Sequence, residues 1–301
     1  MTSSAAVNGG ITSLLAERSY PLEPIATNVT PRVQALPGIK AVVFDIYGTL
    51  LCSGIGDISV DQATDRDPAL RGAMEAVGLE VARGKRVREK WVQEVRLHQH
   101  VRNQQGITYP EIDIRRVWET FLGKVQAEGL VAGDLNAVDL TRVSVEYECR
   151  VNPAWLMPGF QAILDTLKAA YFRLGIISNA QFFTPPLLEV LSGKSLESLG
   201  FDEGGCVWSY RLLEAKPSAV LYQKSAAYWE ANYGISRGEV LYVGNDLLND
   251  MGPAQQVGFK TALFAGDARS LRMHEGDARI AQVKPDIVIT ALNQIATAVH
   301  S

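Results

Sequence analysis

A carboxylate followed closely by a glycine and a hydroxyl is the first feature of the sequence that could do chemistry. Asp45 ends an uninterrupted apolar run, and Gly48 and Thr49 come shortly after it. Glycine permits a tight turn whose backbone N–H groups face an anion. Ser178 and Asn179 follow a second apolar run and supply a hydroxyl and an amide. Each group taken alone is also ordinary turn chemistry.

A cation and two further carboxylates extend this set. Lys216 stands just before Pro217, a residue that favours the first turn of a helix. Asp246 and Asp250 lie four residues apart, directly after a third apolar run. Two carboxylates on a strand-to-helix turn suit the oxygen ligation of a hard cation. These residues can form one site only if the fold brings the ends of the apolar runs together.

The elements that must position these residues are short apolar runs separated by helical periodicity. Runs without polar interruption are typical of parallel strands buried on both faces. Strands that alternate with helices predict an α/β fold, a doubly wound parallel sheet with a Rossmann-like core. Ligands of such sheets bind at the carboxyl ends of the strands. The predicted strands are 41–44, 174–177, 240–243, 261–264 and 286–289, and the clearest predicted helices are 160–171 and 219–233.

One long stretch breaks the alternation and indicates a second domain. Residues 53–155 contain no convincing buried strand, so we predict a helical insertion placed directly after the first strand. Its helices are expected near 68–78, 84–103, 110–128 and 136–150. The rest of the chain is predicted to form an N-terminal arm over 1–36 and a core domain over 37–52 and 156–301.

Composition excludes several functional classes. The chain has 301 residues, 47% of them hydrophobic, and a net charge of −4. This balance gives no electrostatic footprint for nucleic acid and no basic patch for a membrane surface. Three widely spaced cysteines, no membrane-length apolar run and no secretory leader favour a cytoplasmic protein. The expected partner is a small anionic substrate, and a homodimer is compatible with the sequence.

The ordered set of motifs resembles the haloacid dehalogenase-like hydrolase superfamily. The resemblance covers residues 41–52 and about 158–290, and the insertion lies where that superfamily carries its first type of cap. It implies that Asp45 is the nucleophile and forms a covalent aspartyl intermediate that water hydrolyses. Thr49, Ser178 and Asn179 resemble the groups that bind the substrate anion. Lys216 would lie beside the nucleophile and keep it ionised.

The same resemblance implies a magnesium site, but two motifs point to different reactions. Asp45, Asp246, Asp250 and the backbone carbonyl of Tyr47 resemble the ligands of Mg²⁺. Phosphatases of the superfamily have a proton-donating aspartate where this chain has Tyr47, whereas its 2-haloacid dehalogenases have a tyrosine there. Dehalogenases in turn need no metal and have a small polar residue where this chain has Asp246.

Three functions therefore stay open at the level of sequence. The first is Mg²⁺-dependent hydrolysis of a small phosphorylated metabolite, because three converging carboxylates and an anionic substrate need a cation. The second is metal-independent hydrolysis of the 2-haloacid type, because a departing halide needs no proton. The third is a weakly catalytic member that binds a ligand or a protein. Cap residues such as Arg88 and Arg96 could contact a substrate anion or form a solvated face.

Overall fold

The strands and helices alternate over most of the chain. The computed structural model describes residues 2–55, 65–84 and 86–299, and its side chains from residue 10 onward. The parts of the predicted cap at 56–64 and 85 lie outside the described residues. The strands are β1 (Ala41–Phe44), β2 (Leu51–Ser53), β3 (Glu80–Val81), β4 (Val131–Ala132), β5 (Ala154–Leu156), β6 (Arg173–Ser178), β7 (Phe201–Trp208), β8 (Val240–Gly244), β9 (Lys260–Phe264) and β10 (Ile287–Ile289).

The helices are α1 (Thr2–Arg18), α2 (Asp67–Glu75), α3 (Arg88–Gln104), α4 (Ile114–Ala127), α5 (Leu140–Val151), α6 (Phe160–Ala169), α7 (Thr184–Ser192), α8 (Leu196–Leu199), α9 (Ser209–Leu212), α10 (Ala219–Tyr233), α11 (Gly252–Val257) and α12 (Gln294–Val299). A π-helical turn, Leu247–Met251, follows β8. Among the helices of the described ranges, none combines the length and the apolar content that crossing a bilayer requires.

Six parallel strands form the central sheet, in the order β10-β9-β8-β1-β6-β7. The chain therefore builds one half of the sheet outward from β1 and then returns to build the other half. This confirms the predicted doubly wound α/β fold, and the five predicted strands are present. The strand β7 was not predicted, because its acidic and glycine residues interrupt the apolar pattern.

The point where the strand order reverses positions the candidate site. Strand β1 pairs with β6 on one side and with β8 on the other. The loops that follow these three strands therefore leave the sheet at the same edge. They begin with Asp45, Asn179 and Asn245. A crevice at this position is where open α/β sheets bind their ligands.

Helices cover both faces of the sheet and complete its core. Phe44, Ile176 and Leu164 belong to the apolar cluster on one face. Tyr242 and Trp229 belong to the cluster on the other face, where α10 and α11 pack. Because the strand residues are buried on both faces, polar side chains are confined to the strand ends.

The described part of residues 53–155 is largely helical and has its own apolar cluster. Helices α2 to α5 enclose an aromatic cluster in which the ring centroids of Trp91 and Trp118 are 4.4 Å apart. Two short antiparallel pairs, β3 with β4 and β2 with β5, were not predicted. The second pair connects the insertion to the core domain, since β2 precedes it and β5 follows it.

The N-terminal segment, which the sequence analysis treats as an arm, packs against the rest of the fold. Helix α1 was not predicted, and its Ile11, Leu14 and Leu15 are buried in the core cluster. This helix packs against α5 of the cap and α7 of the core domain. Farther along the segment, Arg32 and Val288 exchange backbone hydrogen bonds at the edge strand β10. The segment therefore contacts both domains.

Candidate active site

A buried lysine joins two buried aspartates at the centre of the site. The Nζ of Lys216 donates to Oδ1 of Asp45 at 2.7 Å and to Oδ1 of Asp250 at 2.6 Å. The three residues are 7%, 6% and 1% exposed, respectively. The sequence-predicted contact between the lysine and the nucleophile is therefore present in the structure.

The electrostatics of this group make Asp45 a weaker acid than an ordinary aspartate. Its pKa is raised to about 6, because burial and the nearby Asp250 raise the pKa by more than Lys216 lowers it. Burial would lower the pKa of Lys216, but the two carboxylates outweigh that effect and raise it. Lys216 therefore stays protonated and balances one of the two negative charges.

Asp250 is held in place by donors from the sheet edge. Its Oδ1 also accepts from the hydroxyl of Tyr242 at 2.9 Å. Its Oδ2 accepts from the backbone N–H groups of Asn245 and Asp246, at 3.0 and 3.1 Å. A Cβ at Gly244 would lie 2.5 Å from the Asp250 carboxyl carbon, so this turn requires glycine. These contacts make Asp250 a fixed partner of Lys216.

Asp246 does not join this group. Its Oδ1 accepts from the backbone N–H groups of Leu248 and Asn249, at 2.7 and 2.8 Å, and so caps the π-helical turn. The same oxygen is 2.8 Å from Nε2 of His274, and its Oδ2 accepts from the Asn249 side chain at 2.8 Å. Burial and Asp250 raise its pKa.

The predicted magnesium ligands therefore do not fit the geometry as folded. Asp45 and Asp250 share the ammonium of Lys216, and both oxygens of Asp246 are occupied by other donors. Within residues 2–55, 65–84 and 86–299, no group of three acidic, histidine or cysteine side chains is placed to hold a metal ion. With their oxygens hydrogen-bonded in this way, these donors support no step through a metal.

Asn245, rather than Asp246, presents its side chain toward the first motif. The hydroxyl of Thr49 donates to Oδ1 of Asn245 at 3.1 Å, and the Asn245 amide donates to the Ser270 carbonyl at 2.6 Å. Gly48 has a φ of +83°, and a Cβ there would lie 2.4 Å from Cβ of Ser270. The sequence prediction missed Asn245, although it is the first residue after β8.

The second motif positions the lysine. Oδ1 of Asn179 accepts from the backbone N–H of Lys216 at 2.8 Å, which joins the ends of β6 and the lysine loop. Asn179 also lines the cavity above the site. Ser178 is fully buried and donates to the Asn179 carbonyl at 3.3 Å. Anion binding by Thr49, Ser178 and Asn179 stays a prediction.

Tyr47 has the environment of a packing residue. Its hydroxyl is 3.0 Å from Oγ1 of Thr184, at the start of α7. Burial raises the pKa of Tyr47, and the carboxylates of Glu148 and Asp45 raise it further. A phenol in this environment holds its proton, so Tyr47 does not replace a catalytic acid.

A cavity of about 1060 Å³ lies over these residues, between the core domain and the cap. Asp45, Tyr47 and Lys216 form part of its floor. The cap contributes basic and acidic side chains as well as aromatic ones. The charged residues that line the cavity wall include Arg66, Arg88, Arg96, Arg272, Glu89, Glu111 and Glu148, and of these Arg272 alone lies outside residues 53–155. Basic side chains thus face a cavity whose floor includes Asp45.

Comparison with known proteins identifies the family. The model of the haloacid dehalogenase-like hydrolase family matches residues 39–258, and the chain belongs to this family of hydrolases. The sequence matches no curated protein. The fold and the family thus agree with the resemblance that the motifs indicated.

Solved structures to which the chain is similar include proteins described as dehalogenases and as phosphatases. The 2-haloacid dehalogenase of Pseudomonas syringae pv. Tomato DC3000 is 22% identical, with a TM-score of 0.53 over 86% of this chain and 97% of that chain. A HAD phosphatase from Thermococcus onnurineus is 17% identical, with a TM-score of 0.49 over 86% and 97%. A predicted phosphoglycolate phosphatase from Haemophilus somnus 129PT is 18% identical, with a TM-score of 0.47 over 86% and 97%. These similarities concern the fold alone.

Proposed function

We propose that this protein is a metal-independent hydrolase that uses Asp45 as its nucleophile. The observation that carries the proposal is the position of Lys216 between Asp45 and Asp250. An ammonium group already balances part of the charge that a metal would otherwise balance. Asp246, which a metal site would need, instead caps its own turn.

The choice of leaving group follows from Tyr47, which stands where phosphatases of the superfamily carry their proton-donating aspartate. Tyr47 cannot donate a proton efficiently, so the favoured leaving group departs as a stable anion. A halide on the carbon next to a carboxylate meets this requirement. Asp45 would displace the halide and form an ester, and water would then cleave the ester and release a 2-hydroxy acid. Arginines of the cavity wall suit the substrate carboxylate.

The test is chloride release from 2-chloropropionate, and from longer 2-chloro acids that fill more of the cavity. We expect turnover that survives EDTA and is lost in Asp45→Asn. Single turnover in H₂¹⁸O should place the label in the Asp45 carboxylate, because water attacks the ester carbonyl. Turnover that requires added Mg²⁺, or label found only in the product, would contradict the proposal.

A Mg²⁺-dependent phosphoryl hydrolase is the second candidate. It is favoured by three aspartates at one sheet edge, two of which, Asp45 and Asp246, have raised pKa values. It would require Asp246 to leave the hydrogen bonds of its turn. Mg²⁺-dependent hydrolysis of p-nitrophenyl phosphate that EDTA abolishes would support it. An intact fold that turns over neither probe would favour a binding protein instead.

A further inference from the structure

A short segment of the cap, between α3 and α4, is hydrogen-bonded to the loop that carries Lys216. The backbone N–H of Glu111 in this segment donates to the Leu213 carbonyl at 3.2 Å. The N–H of Ala215, the residue before the lysine, donates to the Tyr109 carbonyl at 2.8 Å. The two segments therefore form a short antiparallel bridge that joins the cap to the core domain.

The side chain of Glu111 adds a second connection, to the loop that follows β6. Its Oε2 accepts from the hydroxyl of Ser209 at 2.7 Å, and its Oε1 accepts from the Gln181 amide at 3.1 Å. Ser209 is fully buried, and its hydroxyl oxygen accepts from the backbone N–H of Ala180 at 2.9 Å. Ala180 and Gln181 directly follow Asn179, so one cap carboxylate holds the loop of the second motif.

These two connections meet at the catalytic lysine. Oδ1 of Asn179 accepts from the backbone N–H of Lys216 at 2.8 Å, so the two loops hold each other. A neighbour of each partner in this bond is fixed to the cap: Ala215 by a backbone carbonyl, and Gln181 by the side chain of Glu111. Loss of the cap contacts would release the backbone from which the ammonium reaches Asp45.

The backbone of Leu213 shows that the lysine loop is shaped around the cap. Its φ of +53° lies in the left-handed region, which leucine rarely adopts. Such a conformation persists only where the surrounding contacts fix it. The Leu213 carbonyl accepts from the N–H of Glu111 and from Nη2 of Arg102 at 3.4 Å, and both donors belong to the cap.

We propose that Glu111 is a positioning residue that sets the place of Lys216 against Asp45, an inference that deepens the proposed function and rests on it. Glu111 acts through the two loops that fix the lysine rather than on the reacting atoms. The cap thus helps to orient the positive charge beside the nucleophile.

The expected consequence is a change of rate rather than of substrate binding. A preorganised charge stabilises a transition state only when it is held in the right place. We expect Glu111→Ala to lower the single-turnover rate of chloride release from 2-chloropropionate by about 10²-fold, the cost of a misplacement of about 1 Å. The 2-chloropropionate concentration that gives half the maximal rate should change by less than about threefold.

Amide hydrogen exchange, followed by mass spectrometry, tests the same contacts without the reaction. The amides of Ala215 and Lys216 should exchange about tenfold faster in Glu111→Ala, because the bonds that protect them open more often. The amides of β8 should exchange as in the wild type. Glu119→Gln is the matched control, since this cap glutamate is 53% exposed and pairs with Arg116. It should match the wild type in both measurements.

A conservative variant separates hydrogen bonding from charge. Glu111→Gln keeps an oxygen that accepts from Gln181 and places an amide opposite Ser209, whose hydroxyl then donates to the Ala180 carbonyl 3.1 Å away. This variant should recover chloride release to within about threefold of the wild-type rate. If Glu111→Ala does not fold, Ser209→Ala removes the same hydrogen bond from the core side and should give the same loss of rate.

The outcomes separate the two proposals. The role of Glu111 is wrong if Glu111→Ala keeps the wild-type rate, if its half-saturating concentration rises as much as its rate falls, or if Glu111→Gln is equally slow. It is also wrong if the amides of Ala215 and Lys216 exchange as in the wild type. If the wild type releases no chloride, the proposed function is wrong, and exchange alone decides on Glu111: faster exchange at these two amides supports its positioning role, and unchanged exchange overturns it.

Discussion

The ammonium of Lys216 lies 2.7 Å from Oδ1 of Asp45, although 171 residues separate the two along the chain. The same ammonium is 2.6 Å from Asp250, which follows a different strand. Lys216 therefore connects the end of β1 to the end of β8, across the point where the strand order reverses. The charge of Asp45 is therefore balanced by a side chain of the protein itself.

The first prediction concerns this lysine. Lys216→Met leaves two buried carboxylates without their cation, so we expect a loss of about 3–5 kcal/mol in the free energy of unfolding. Chloride release should fall by at least about 10²-fold, because a preorganised charge beside the reacting group is lost. Lys168→Met is the control, since Lys168 is exposed and bonds a backbone carbonyl. Equal effects of the two substitutions on unfolding in urea and on activity would argue against the pairing.

The second prediction concerns the pH dependence of the first chemical step. The pKa of Asp45 is raised to about 6, so the nucleophile becomes protonated as the pH falls below that value. The rate of chloride release in a single turnover should therefore decrease on the acidic side of about pH 6. A single turnover is the right observable, because chloride departs before the ester is hydrolysed. A single-turnover rate that stays constant down to the ordinary pKa of aspartate would contradict this.

The third prediction separates packing from catalysis at Tyr47. Tyr47→Phe removes the hydroxyl contact with Thr184 and should cost about 0.5–1.5 kcal/mol of stability. Activity should change by less than about threefold, because the phenol transfers no proton. If Tyr47 were the acid, activity would fall by about 10²–10⁴-fold. Thermal unfolding and chloride release on the same preparation distinguish the two cases.

Sequence reasoning located the strand ends, because buried parallel strands leave an uninterrupted apolar signal, and the family resemblance placed Lys216 beside Asp45. It selected Asp246 and Asp250 as magnesium ligands and passed over Asn245. Consecutive residues at a strand end direct their side chains to opposite sides, and a single sequence does not show which side faces the first motif. The structure directs Asn245 toward Thr49, and Asp246 toward its own turn.

Elements that depend on long-range packing were missed for a related reason. In α1, Ile11, Leu14 and Leu15 have helical spacing, but the glycines before them weaken the local signal. In β7, Gly204 and Gly205 are needed because the rings of Tyr228 and Trp229 pack directly against them. Neither pattern is readable until the covering element is known.

The fourth prediction tests whether the N-terminal helix is part of the fold. Leu15 is 2% exposed and packs in the core cluster, so Leu15→Ala should lower the free energy of unfolding by about 2–5 kcal/mol. Leu97→Ala is the matched control, because Leu97 is 46% exposed on a cap helix. Unfolding in urea measures both. A Leu15 variant as stable as the Leu97 variant would mean that α1 contributes little to the core.

The fifth prediction contrasts the two aspartates that stand four residues apart. Asp250→Asn removes a partner of Lys216 and should reduce chloride release by about 10²-fold or more. Asp246→Asn keeps an oxygen that accepts from the backbone of Leu248 and Asn249, and it loses the charge beside His274 and the acceptor of the Asn249 side chain. We therefore expect Asp246→Asn to retain chloride release within a few-fold of the wild type, with or without EDTA. A magnesium enzyme would behave in the opposite way, because Asp246→Asn would then abolish turnover and EDTA would reproduce that loss in the wild type.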